Sequence, residues 1–215
     1  MPTSTSPARR PYAKRMPLEE RREQLLDAAI RLIARDGYDA VSVDAIAREA
    51  GVTRPVVYAA YGGLGTLLHT LLDRSQQRAL AQLDEVLSTG TDLADPEALL
   101  VDVVRGLIAM VQRDPDLWRP ILAAPSGTPR EVRERVEADR ERIRARIAQL
   151  VDLGTAVWGG PVVDSEVVSH LLLATAEHFG RILLDEPQRF EPERIIEAVR
   201  LLVVGLRPRR VRGVR

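Results

Sequence analysis

The chain has 215 residues, 45% of them apolar, and its 31 basic side chains balance 31 acidic ones, which excludes wholesale disorder and leaves enough apolar material for a real core. The absence of cysteine excludes disulfides, iron–sulfur clusters, thiolate metal sites and a cysteine nucleophile. Residues 1–16 are rich in Pro, Ser, Thr and Arg, lack the apolar stretch of a secretory signal, and read as a basic flexible arm with Arg9, Arg10, Lys14 and Arg15 ahead of any acidic residue. No apolar run approaches the ~20 residues of a membrane span. A cytoplasmic protein with no membrane partner is the expectation.

Apolar residues recur at helical spacing nearly throughout, and no segment alternates as a half-buried strand does, so the fold class is all-α with about nine helices. The first helix, about 17–35, carries Leu25, Ala28, Ala29, Leu32 and Ile33 on one face and stops at Gly37. A short second helix, about 43–50, is capped by Ser42 and ended by Gly51. Thr53 as a cap and Pro55 in the first turn open a third helix that reaches Tyr61. From Leu64 to Gly90 the leucine series predicts a helix of about 25 residues, ~37 Å long, enough to join two domains. Asp95-Pro96 opens a fifth helix with Leu100, Val103, Val104, Leu107, Ile108 and Val111 at core spacing, and Asp114-Pro115 opens a short sixth. Thr128-Pro129-Arg130-Glu131 is a capping box ahead of a stripe through Val132, Val136, Ile143, Ile147 and Leu150. The last two helices, about 164–185 and 192–206, are apolar on more than one face. Residues such as Val167, Leu171, Leu172 and Phe179 call for a second neighbour, either another subunit or the centre of a monomeric bundle. A basic tail, 207–215, closes the chain.

The second and third helices fill the positions of a helix-turn-helix. Ile46 is an inner contact, Ala47 is small where the helices touch, Gly51 makes the turn, Val52 is buried, and Val57 packs back. The segment from Arg22 to Leu72 resembles the tetracycline-repressor (TetR) family of transcription regulators. The resemblance rests on Leu25-Leu26-Asp27-Ala28-Ala29, Gly37-Tyr38, Val41-Ser42-Val43, Ile46-Ala47, Ala50-Gly51-Val52-Thr53, Val57-Tyr58, Tyr61 and Leu67-Leu68. It implies a helix-turn-helix DNA-binding domain over 17–72, a helical ligand-binding and dimerisation domain over 73–206, and a homodimer formed through the last two helices. In that arrangement the third helix lies in the major groove of a double-stranded, palindromic operator. Ser42, Thr53 and Tyr58 face phosphates, and Arg54 forks onto guanine, contacts phosphate or stays solvated. Pro55 and Val56 offer apolar contact, for example to a thymine methyl. The chain departs from the family pattern at Ala59 and Ala60, where polar residues are usual, and at Leu64, where a phosphate-binding lysine is usual. Residues 1–72 hold ten basic and eight acidic side chains, so the expectation is that Arg9, Arg10, Lys14 and Arg15 supply the missing attraction along the operator.

With aromatics at 4%, an effector pocket would be lined by aliphatic side chains and suit a small apolar or amphiphilic molecule. The candidate lining is Val104, Ile108, Trp118, Leu122, His178 and Phe179, each with ordinary packing as its alternative. Asp139 and Arg140 interrupt the stripe of the seventh helix and read as a polar anchor or as solvated or internally paired side chains. His69, His170 and His178 do not form a metal-binding spacing, so no metal, no cofactor and no catalytic constellation is expected. The sequence reads as a ligand-responsive DNA-binding repressor, released from its operator by the effector. The alternative is a dimeric ligand-binding or protein-interaction module with a lapsed DNA reader.

Overall fold

A computed structural model describes residues 16–89, 95–123, 127–158 and 163–206. They form nine α-helices and one 3-10 turn, with no strand among the described residues. In chain order these are α1 (Leu18–Asp36), the 3-10 turn (Tyr38–Ala40), α2 (Val43–Glu49), α3 (Arg54–Tyr61), α4 (Leu64–Thr89), α5 (Pro96–Arg113), α6 (Pro115–Ala123), α7 (Arg130–Trp158), α8 (Ser165–Asp185) and α9 (Pro192–Leu206).

Local chemistry accounts for several boundaries. The Ser42 hydroxyl accepts from the Ala45 amide at 3.1 Å, and the Asp95 carboxylate accepts from Glu97 and Ala98, so first-turn amides that no carbonyl can reach are satisfied. Asp164 caps α8 in the same way through Val167. Two expected caps differ. Thr53 stands at the start of α3 but makes no side-chain cap bond, and α7 begins at Arg130, one residue past Pro129.

The first core is built by α1 to α4 around Leu25, Ile46, Val57 and Leu67, all fully buried. Burial of each such side chain contributes about 1.5–3 kcal/mol. Side chains of α1 also satisfy carbonyls at the ends of the short helices. Gln24 donates to the Ala50 carbonyl at 2.8 Å, and Arg22 donates to the Ala60 carbonyl at 3.0 Å. The Tyr61 hydroxyl returns a bond to the Arg22 carbonyl at 3.2 Å, with the Arg22 guanidinium 5.7 Å from the Tyr61 ring centre.

α4 then leaves this core and enters another. Leu67 and Leu71 belong to the first cluster; Ala79 and Val86 pack with Met110, Val111, Leu117, Trp118 and Leu184 in a second. A third cluster joins Ile108, Leu183 and Ile195 with Val104, Phe179 and Phe190, the last two edge to face at 6.0 Å. Polar pairs join α7 to α4. These are His69 with Glu131, Asp73 with Arg135, Gln76 with Asp139, and Asp84 with Arg146.

The outer faces of the last helices stay apolar. Leu171 and Leu202 are 62% and 66% exposed, and Val167, Leu172 and Leu201 are exposed beside them. Leu150, Leu153 and Val157 extend the surface onto the end of α7. By length and composition α8 is long and apolar enough to cross a membrane, although Glu166, Glu177 and Arg181 interrupt it. The sequence reading, which looked for an unbroken apolar run, did not anticipate this.

Candidate nucleic-acid interface

The turn between α2 and α3 is made by a single residue in the left-handed region, Gly51 at φ +66°, a conformation that L side chains rarely adopt. The amide of Val52 reaches back to the Ala47 carbonyl at 2.8 Å. Ile46 and Val57 are fully buried, and Ala47, at 4% exposure, allows the helices to approach. Val52, expected inside, is half-buried, because at the exit of the turn only one side of it meets the core.

This packing turns the opposite side of α3 outward. Ser42, Thr53, Arg54, Pro55 and Tyr58 are exposed, and Val56 is half-buried. The crossing brings the starts of α2 and α3 together. Arg54 Nε lies 3.1 Å from Asp44 Oδ1, with the two side chains 57% and 53% exposed. A hydrogen bond with the Tyr58 side chain and the charge of Asp44 hold the Arg54 guanidinium above the usual arginine range. Arg9, Arg10, Lys14 and Arg15 lie outside the described residues.

Most other guanidinium groups of this half are committed to carboxylates. Arg31 and Arg35 share Glu49, whose carboxyl is held below its ordinary range first by the bond from Arg31 and then by that from Arg35. Arg74 bridges Glu23 and Asp27. Among the described residues, Arg48 is an exposed arginine with no carboxylate within ion-pair distance. It stands one helical turn after Asp44, on the side of α2 that meets α3 at Arg54. The sequence reading missed it; its spacing of four from Asp44 was the available signal. A cleft of about 490 Å³ next to Tyr58 is lined by Glu19, Arg22, Glu23, Tyr61, Thr66 and Thr70, a mixed-charge wall rather than a basic one.

Five of the six candidate effector residues fall in two core clusters, and the sixth, His178, lies beside one of them. Trp118 and Leu122 belong to the second cluster, where the indole of Trp118 is bonded to Gln82. Val104, Ile108 and Phe179 belong to the third, and His178 is exposed with its ring 5.6 Å from that of Phe179. Asp139 and Arg140 are internally paired. Asp139 accepts from Gln76 and Arg142, while Arg140 meets Glu177 at 2.6 Å and donates to the Ile121 carbonyl. Among the described residues no three His, Cys, Asp or Glu side chains gather as a metal site.

A family model for bacterial regulatory proteins, tetR family, matches residues 25–69, from the middle of α1 into α4. The chain is 37% identical over 78 residues to the HTH-type transcriptional activator FasR of Mycolicibacterium smegmatis; the match spans only 36% of each protein. Across the fold it is similar to a TetR-like transcriptional regulator from Rhodococcus sp. RHA1, with a TM-score of 0.70 at 21% identity over 89% of this chain and 99% of that one. It is similar also to the transcriptional regulator FadR of Bacillus subtilis in a complex with stearoyl-CoA, with a TM-score of 0.64 at 17% identity over 85% and 97%. At such identities the two structures speak for the fold, and they extend it over the helices that follow the helix-turn-helix. The likeness to the tetR family of bacterial regulatory proteins is carried in sequence by residues 25–69, the helix-turn-helix with the adjoining parts of α1 and α4.

Proposed function

We propose that the protein is a ligand-responsive transcriptional regulator that binds a palindromic operator as a homodimer, represses from it, and is released by a small apolar or amphiphilic effector. The observation that carries the reading is the exposed first turn of α3, with Arg54 projecting from a buried helix-turn-helix frame between Ser42 and Tyr58. A helix of this size fits a major groove ~12 Å wide, where Arg54 reaches guanine O6 and N7, and Pro55 and Val56 meet apolar edges. Ser42, Thr53 and Tyr58 contact phosphates and set the register, and Arg48 adds charge. Arg9, Arg10, Lys14 and Arg15 follow the operator backbone, offsetting Ala59, Ala60 and Leu64, which offer no polar contact.

A second copy covers the apolar faces of α8 and α9, and the end of α7 widens that contact. A two-fold interface presents the same patch from each subunit, so the paired readers address half-sites ~34–36 Å apart with inverted symmetry. The regulatory interior is aliphatic, and Val103, Val104, Leu107, Ile121, Leu122 and Phe179 are only half-buried. A ligand with an acyl chain would complete their burial, and the fold shared with FadR in its stearoyl-CoA complex makes a long-chain acyl thioester the first effector to test. Binding releases the operator only if the effector favours a spacing of the readers that the operator does not.

A second reading concerns the sign. The relative that matches the reader is named an activator, and the same dimer activates when its operator lies where polymerase is assisted rather than blocked.

The test is selection of bound sequences from random duplex DNA by the full chain at two salt concentrations, with stearoyl-CoA then added to the recovered complex. The expected result is one palindrome with half-sites about a helical turn apart, displaced by the acyl thioester. Absence of enrichment even at low salt would favour the lapsed-reader module.

A further inference from the structure

We propose that Asp44 is a positioning residue for base recognition, holding the Arg54 guanidinium by its Nε so that the terminal pair of nitrogens faces the groove. The inference rests on the proposed reading of DNA by α3.

The contact joins two helices, at 3.1 Å between Arg54 Nε and Asp44 Oδ1. An arginine presents its donors as a rigid planar fork, so fixing one edge fixes the direction of the others. With the Asp44 carboxylate paired against the Nε edge, Nη1 and Nη2 remain as the parallel donors that a guanine edge requires. Tyr58 stands one turn further along α3 on the same exposed side. The ion pair thus restrains the arginine from the α2 side before any DNA arrives. A free arginine side chain carries rotamer entropy, part of which is removed in advance here.

The fold gives Asp44 no stronger task. The cap of α2 is Ser42, and Asp44 is an exposed first-turn residue whose favourable interaction with the helix dipole is small. Its position is costly for simple attraction to DNA, since it sets a negative charge beside the surface that meets phosphates, in a domain with only two more basic than acidic side chains over residues 1–72. A carboxylate there weakens general affinity; positioning of Arg54 explains what is gained in exchange.

The two roles separate in one experiment. Asp44→Ala and Asp44→Asn are made in the full chain beside wild type and Arg54→Ala, with thermal melting to confirm folding. Each is titrated against random duplex, the selected operator, and operators substituted one base pair at a time. Positioning predicts that Asp44→Ala binds random duplex more tightly, while discrimination at the base pair read by Arg54 falls about three- to tenfold. Asp44→Asn, which keeps an acceptor oxygen, falls between. If random-duplex affinity rises and discrimination is unchanged in both variants, Asp44 acts only as a charge and the proposal is overturned. If wild type shows no base preference at all, the reading of DNA by α3 fails and the inference fails with it; loss of preference in Arg54→Ala alone, with Asp44→Ala like wild type, removes the positioning role only.

Discussion

The indole Nε1–H of Trp118 donates to Oε1 of Gln82 at 2.9 Å, and the other end of that amide donates to Asp114 Oδ2 at 2.8 Å. Arg78 meets the same carboxylate oxygen at 2.7 Å. Asp114 and Trp118 are almost fully buried, so this chain of bonds fixes α4 against the corner between α5 and α6. Gln82→Ala would leave a buried indole N–H without its partner and remove one donor from a buried carboxylate, a loss of about 1–3 kcal/mol. Urea unfolding should show a lower midpoint at unchanged slope. An unchanged midpoint would mean that water replaces the amide fully.

The apolar face of α8 and α9 predicts an assembly defect that leaves folding intact. Leu171→Glu and Leu202→Glu place charges on positions exposed in the single chain. Sedimentation should move from dimer to monomer while circular dichroism stays helical, and operator affinity should fall with it. A variant that stays dimeric would place the interface elsewhere.

At Gly127 the constraint is steric. Its φ is +72°, and a Cβ there would meet the Asp39 carboxylate at 2.1 Å. This is where Gly127 lies against the 3-10 turn that precedes α2. Gly127→Ala should cost on the order of 1–3 kcal/mol through backbone strain and displacement of Asp39. Thermal unfolding reads the loss, and Asp39→Ala combined with Gly127→Ala should recover the steric part but not the strain.

Acid should weaken the reader's frame through Glu49. Its carboxyl is held below the ordinary range in the folded chain by the bonds from Arg31 and Arg35. A depressed folded value means the stabilisation is present above the unfolded value, near pH ~4.3, and is lost as pH falls through the folded value. Glu49→Gln should therefore flatten the decline of the melting temperature below about pH 4.5 relative to wild type. Parallel declines in the two proteins would assign the acid sensitivity to other carboxylates.

What could be read in the sequence was what depends on neighbours along the chain. Ser42, Asp95-Pro96 and the stripe of α5 sit where local capping and helical period place them, and the all-α class follows from the same period. The exposed residues at the start of α3 were legible because Gly51 and Val57 fix which side turns inward. The Arg54–Asp44 pair was not, since it exists only once α2 and α3 cross. The ladder between α4 and α7 escapes for the same reason: the partner of Asp139, Gln76, lies on a helix distant in sequence. The effector candidates were chosen by apolarity and periodicity, which cannot tell a residue of one core cluster from a residue of the next.

The most direct measurement is equilibrium titration of wild type and Arg54→Ala against the selected palindrome and against random duplex, at two salt concentrations. If α3 reads bases through Arg54, the variant loses about 1–3 kcal/mol per half-site on the palindrome and far less on random duplex, so the specificity ratio collapses. Equal losses on both duplexes, or none on either, would contradict base recognition by Arg54.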